Sequence, residues 1–297
     1  MTASNPLPPA KRDRRIPGWA APLLHQLVRD RPAVLTRQDL EAALAEAGIQ
    51  RGVEPTVREL QRLGWLIPVH LKGVWAFLPP GEEQIIDPYI DLRAWRARDP
   101  EAVFALAGEA AALHLGYLDR TFTGPVAVWI PSDARPPHGL RPHISVVALG
   151  WSADIASHLA PTTRLLHNRH LDLTGWAGGL PAFGPEALVV QLAARPASFR
   201  VWSDLVAHLA QLASDCDVAR LAELLQQQSV SAWQRAAYLL HCGGRPNDAI
   251  ALLEMRVDST RGLPKVQFGE GPRSLWVPQF HVVDHLIFPL QQSMGKA

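Results

Sequence analysis

The stretch from Thr36 to Leu78 restricts what this chain can fold into more than any other, because its apolar spacing switches from helical to strand-like within a few turns of chain. It reads TRQDLEAALAEAG, a short basic link, VEPTVRELQRLG, and then WLIPVHLKGVWAFL. Thr36 followed three residues later by Asp39 is an N-terminal capping pair, with Asp where Glu or Gln is usual. Leu40, Ala43, Leu44 and Ala47 then recur at i, i+3, i+4 and i+7, and Gly48 supplies the left-handed residue that ends the helix. A second helix of similar length has Pro55 near its start, Val57, Leu60 and Leu63 on one side, and Gly64 at its end. Beyond it Trp65, Ile67 and Val69 alternate with Leu66, Pro68 and His70, and Val74 to Leu78 form a second run with Lys72-Gly73 at the tip between them. Two short helices followed at once by a hairpin predict a winged helix-turn-helix. Upstream, Leu23, Leu24, Leu27 and Val28 predict a first helix over residues 17–29.

The outward face of the second of these helices carries Glu54, Arg58, Gln61 and Arg62 at i, i+4, i+7 and i+8. Arginine and glutamine are the side chains that read guanine and adenine edges bidentately in the major groove. A merely solvated face would have the same composition, and so would a winged helix used for protein contacts. The hairpin favours DNA, because a Lys-Gly tip is placed to touch a phosphate or enter the minor groove. Charge points the same way. Residues 1–80 hold 11 Lys and Arg against 7 Asp and Glu, a net of +4, although the whole chain carries only +1. Part of that excess is the run Lys11, Arg12, Arg14, Arg15, which follows the proline-rich NPLPPA and reads as a disordered basic arm, either a minor-groove tether or a solubilising tail. The candidate DNA contacts are therefore Arg14, Arg15, Arg37, Arg51, Thr56, Arg58, Gln61, Arg62 and Lys72.

With 297 residues the chain has length for two domains with ordinary cores. The predicted division is an arm over 1–15, a winged helix-turn-helix over 16–80 and an α+β domain over 81–297, with the boundary at Pro79-Pro80-Gly81. In the last of these, DPYIDLRAWRARDP reads as an extended stretch leading into a short helix, and VFALAGEAAALHLGYLDR as a helix packed through Ala and Gly. Strand-like runs follow at 125–131 and 144–149, with a weaker one at 164–167. The loop between the first two is polar and rich in proline, SDARPPHGLRPH. PAFGPEALVVQLAARP predicts a helix capped near Gly184-Pro185. Four more helices are expected at 202–212, 218–227, 232–240 and 247–255, then a strand at 275–277 and a helix at 282–290. The fold class is α+β with more helix than strand. Two cysteines, Cys216 and Cys242, provide neither a disulfide framework nor a ligand cluster. Nothing resembles a signal peptide or an apolar span of membrane length, so a cytoplasmic protein with reduced thiols and no membrane partner is expected.

Twelve histidines invite a metal or acid-base reading. His167 and His170, with Arg169 and Asp172 beside them, come closest to a ligand pair. HExxH, CxxC, GxxxxGK[ST] and GxSxG are all absent, and GWAGG at 175–179 reads as a turn. No catalytic residue, metal ligand or cofactor is therefore assigned. A DNA-targeted nuclease with its site in the C-terminal domain would rest only on the segment Arg164 to Asp172.

The segments DRRIPGWA, VRELQRLGWL, KGVWAFLPPGE and DPYIDLRAWRARD resemble the AbiEi family of abortive-infection antitoxins, particularly its mycobacterial and actinobacterial branch. LAGEAAALHLGYLDR, GPEALVVQLAARPASF and SAWQRAAYLL extend the resemblance over nearly the whole chain. It implies that the winged domain binds double-stranded DNA at promoter inverted repeats, two copies on adjacent half-sites, and represses its own operon. It also implies that the larger domain counteracts a nucleotidyltransferase-type toxin; a member without a toxin would act as a transcriptional regulator alone.

Overall fold

The capping pair at Thr36 forms as its sequence predicts. In the computed structural model, which describes residues 14–119, 124–172, 176–256 and 262–294, Thr36 Oγ1 accepts the Asp39 backbone N–H at 3.2 Å and Asp39 Oδ2 accepts that of Thr36 at 2.8 Å. The elements here are α1 (Ala21–Asp30), β1 (Val34–Thr36), α2 (Arg37–Glu46), α3 (Val53–Arg62), β2 (Leu66–Pro68) and β3 (Val74–Phe77), followed by α4 (Ile90–Arg98). Gly48 and Gly64, each just past a helix end, take φ of +67° and +80°, the left-handed conformation that costs glycine nothing. The strands form an antiparallel sheet in the order β1-β3-β2. Three helices and a three-stranded sheet in this order are a winged helix-turn-helix.

Strand β1 is not anticipated by the sequence reading; it is three residues long and runs directly into the helix cap. It pairs Leu35 with Trp75, while Ile67 of β2 pairs with Ala76. Side chains alternate between faces along a strand, and here both faces are covered. Trp65, Leu66 and Phe77 pack with Leu23, Leu27, Leu40, Leu44, Val57 and Leu60 of the three helices. Ile67, Ala76 and Leu78 pack on the other side with Ile90 of α4. That is why VWAFL lacks a polar alternation. The compact unit consequently does not stop at Pro79-Pro80-Gly81: it runs to Ala102 and takes in the segment Pro136–His143.

The second unit comprises 103–135 and 144–297. It contains β4 (Ala105–Leu106), α5 (Gly108–His114), β5 (Val126–Trp129), β6 (Ile144–Val147), α6 (Ala156–Leu159), α7 (Thr163–Asn168), α8 (Pro185–Ala194), α9 (Trp202–Val206), α10 (Leu209–Asp215), α11 (Val218–Leu225), α12 (Val230–Cys242), α13 (Pro246–Glu254), β7 (Val266–Phe268), β8 (Leu275–Val277), β9 (Val282–Asp284) and α14 (Ile287–Met294). Strand β5 pairs antiparallel with β4 and parallel with β6; β9 pairs parallel with β7 and antiparallel with β8. Trp129, Trp151 and Phe183, all fully buried, meet edge-on or tilted with centroids 6.1–6.5 Å apart. Helix α8 is buried from Pro185 to Ala193, so it shows no amphipathic stripe.

Four expectations change. Residues 164–167 are helical, because the Thr162 side chain caps α7 by accepting the Leu165 N–H at 3.1 Å. The helix expected from Val103 begins only at Gly108, whose φ of +52° separates it from β4. The run at 202–212 is two helices. Val282–Asp284 is a strand, and the helix begins after it. Gly175 lies outside the described residues; beyond it, Ala177, Gly178 and Gly179 turn with positive φ. Lys11 and Arg12 of the basic run also lie outside them. Among the described residues no helix is long and apolar enough to cross a membrane.

Burial governs the two thiols. Cys216 is buried and its thiol is pushed well above its ordinary value, and burial pushes Cys242 up to about 12. Since the thiolate is the reactive form, Ellman's reagent at mildly alkaline pH is expected to leave both unmodified in the folded protein and to label both in concentrated urea. Rapid labelling of the native protein would contradict this packing.

Candidate nucleic-acid interface

Helix α3 is amphipathic, and its two faces differ sharply. Val53, Thr56, Val57 and Leu60 are buried, while Arg58 and Arg62 are exposed. Thr56, placed among the candidate contacts by its residue type, is fully buried and donates its hydroxyl to the Gly52 carbonyl at 2.9 Å. It lies on the buried face of the helix with Val53, Val57 and Leu60 and is withdrawn from the set.

The cations of this unit divide into those engaged within the fold and those that face solvent alone. Arg14 donates to the carbonyls of Leu78, at 2.6 Å, and Glu82, with its guanidinium 5.0 Å from the Trp65 ring centroid. Burial lowers its pKa from the ordinary arginine value. Arg51 pairs with Glu59 at 2.7 Å and lies 4.2 Å from the Trp19 ring centroid. Arg37 bridges Glu41 at 3.1 Å and Glu54 at 3.0 Å, so the one acid on the outward face of α3 is matched by the first residue of α2. Arg15 is exposed, and its carbonyl accepts the Trp65 indole N–H at 3.1 Å. Arg58, Arg62 and Lys72 are exposed and meet no carboxylate among the described residues, and Gln61 is half-buried between the two arginines. Gly73, with φ +83°, turns the chain beside Lys72 at the wing tip.

A second group was not visible in the sequence. His70, between β2 and β3, holds Asp91 of α4 through Nδ1 and Oδ2 at 2.8 Å, and its backbone N–H donates to Asp91 Oδ1 at 3.1 Å. The His143 ring stacks on His70 with centroids 3.5 Å apart. Burial first, and then the neighbouring His70 ring, hold the His143 imidazole below its ordinary pKa. The three residues are separated by 21 and 52 positions, so no local spacing could announce them.

The segment Arg164 to Asp172 does not converge in the same way. Arg169 is tied to Asp215, which also accepts the Tyr117 hydroxyl at 2.7 Å. His167 and His170 are exposed, and among the described residues they join no group of three metal-ligating side chains.

Comparison with known proteins places this architecture. Residues 102–242 match the family model described as AbiEi antitoxin C-terminal domain. The crystal structure of the RV2827C protein from Mycobacterium tuberculosis is similar throughout: 49% sequence identity, 97% of this chain and 99% of that chain covered, and a TM-score of 0.91. The chain belongs to the AbiEi antitoxin family. A search of the curated proteins gives no match.

Membership of this family supports an antitoxin role and implies a toxin partner of some kind. The matched AbiEi domain opens at Ala102, where the winged unit ends, and closes at Cys242 with the end of α12. Sheet β4-β5-β6 and the buried helix α8 are inside it; β7, β8, β9 and α14 follow it. Its helix α5 carries the fully buried Glu109, which takes the Arg200 backbone N–H at 2.8 Å and Nε at 2.9 Å. The lone acid in this apolar helix is thereby paired through Oε1, while Oε2 is buried with no hydrogen-bond partner among the described residues.

Proposed function

We propose that this antitoxin represses its own operon by binding promoter inverted repeats through the winged helix-turn-helix, and that its larger domain counteracts a nucleotidyltransferase-type toxin. The observation that carries the DNA reading is the division of the cations. Arg14, Arg37 and Arg51 are engaged by carbonyls, carboxylates or aromatic rings, whereas Arg58, Arg62 and Lys72 are exposed and form no ion pair among the described residues. Arg58 and Arg62 sit one turn apart on the helix that such folds lay in the major groove, where arginine reads guanine. Lys72 stands at the wing tip and serves a phosphate or the minor groove. Arg15 can add a phosphate contact from the N-terminal arm, and Gln61 sits between the two reading arginines. The toxin class rests on the resemblance to AbiEi antitoxins.

Footprinting the region upstream of the gene tests the first part. Protection of two half-sites centred about one helical turn, or a multiple of it, apart is expected, with affinity falling steeply as salt rises. An unprotected upstream region at low salt would overturn self-repression. For the second part, co-expression with an adjacent nucleotidyltransferase-like reading frame should restore growth that the frame alone arrests.

A further inference from the structure

The proline-rich loop between β5 and β6 ends on a histidine for which the DNA reading has no use. We propose that His143, with His70 and Asp91, binds a divalent transition-metal ion of zinc's class, water completing the fourth position. One potential ligand atom from each residue lies within 4.8 Å of the other two. Two imidazoles and one carboxylate make a nitrogen–oxygen set suited to zinc and its neighbours, whereas calcium and magnesium ask for oxygen alone. Bonds of about 2.0–2.2 Å around a tetrahedral ion bring ligand atoms to about 3.3 Å from one another. The three ligand atoms, within 4.8 Å of one another, would have to draw together by side-chain rotation to reach that spacing.

Three features prepare it. Asp91 is oriented by the His70 backbone N–H on Oδ1, which leaves Oδ2 turned to the imidazole. The stacked rings, centroids 3.5 Å apart and 19° from parallel, hold the two imidazoles together, and a turn of the rings out of the stack would aim both nitrogens at one ion. His143 Nδ1 is buried and finds no hydrogen-bond partner among the described residues, a costly state for a polar nitrogen that coordination would relieve. A structural His–Asp pair explains His70 and Asp91 but gives His143 no role. Gly139 matters to the approach, since a Cβ there would collide with the His70 carbonyl oxygen. All three ligands are partly exposed, which leaves an ion a path in.

The test uses the full-length chain, stripped with EDTA and titrated with zinc chloride by calorimetry and by competition with a chromogenic chelator. One equivalent is expected to bind, with Tm rising with the logarithm of free zinc. His143→Ala and Asp91→Asn are each expected to weaken binding by at least about 100-fold, the upper end of what even a supporting residue costs, while His138→Ala in the same segment leaves it unchanged. The Asn variant retains an oxygen for the His70 N–H. Cobalt in place of zinc should give the intense visible bands of a tetrahedral site, lost in His143→Ala. Absence of stoichiometric uptake, or uptake and cobalt bands undiminished in His143→Ala, would overturn the assignment. Neither result depends on whether α3 reads DNA.

Discussion

Changing Arg58 and Arg62 together to alanine is expected to weaken operator binding by at least about 30-fold at fixed salt. Each base-edge contact by an arginine contributes about 1–3 kcal/mol, so two independent contacts contribute about 2–6 kcal/mol, and every 1.4 kcal/mol is about a factor of ten. Both side chains are exposed, so unfolding does not confuse the result, and an unchanged circular dichroism spectrum would document it. Lys72→Ala gives a different signature. A phosphate contact is lost equally from every sequence, and the slope of log affinity against log salt falls by about one. A gel-shift titration in which the double variant binds like the parent would remove α3 from the reading role.

Asp284→Ala is expected to destabilise the larger unit by about 3 kcal/mol or more. Asp284 is fully buried at the end of β9. It accepts the Tyr238 hydroxyl at 2.8 Å and the backbone N–H groups of Leu286, Ile287 and Phe288 at 2.7, 2.9 and 2.7 Å. One carboxylate thus caps α14 and satisfies a phenol on α12. Loss of a cap costs about 0.5–2 kcal/mol, and each buried donor left without an acceptor adds about 1–3 kcal/mol. Asp284→Asn keeps an acceptor oxygen for the helix and should cost distinctly less. Urea unfolding of the two variants decides the matter: a loss below about 1 kcal/mol for the alanine would mean that solvent or a rearranged α14 replaces the carboxylate.

Much of the winged unit was legible because its signals are local. Thr36 and Asp39 sit three residues apart, Gly48 and Gly64 mark helix ends, and the tryptophan-rich hairpin follows at once. Thr56 shows where such reading stops. A threonine on the apolar stripe of α3 looks like a polar contact until its hydroxyl is seen returning to Gly52. Strand β1 and residues 282–284 escaped because three-residue strands carry too little pattern to outweigh a neighbouring helix signal, and the partner of β1 lies about forty residues along the chain. Helix α7 looks strand-like in sequence because Leu165 and Leu166 are adjacent apolar residues in a short run, while the informative residue is the cap at Thr162. For the candidate site, α3 was legible by periodicity. The pairing of Arg37 with Glu54, which separates engaged from available cations, is a tertiary fact, and so is the meeting of His70, Asp91 and His143.

The sheet of the winged unit has apolar neighbours on both sides, α1 to α3 on one and α4 on the other. A truncation on its rear side, such as Leu78→Ala, would therefore let the hairpin shift in its bed and carry the far helix with it. A genetic screen for lost repression should return lesions at Ile67, Leu78 and Ile90 that never come near a nucleotide, and their reversal by second changes across the same layer would trace the mechanical path.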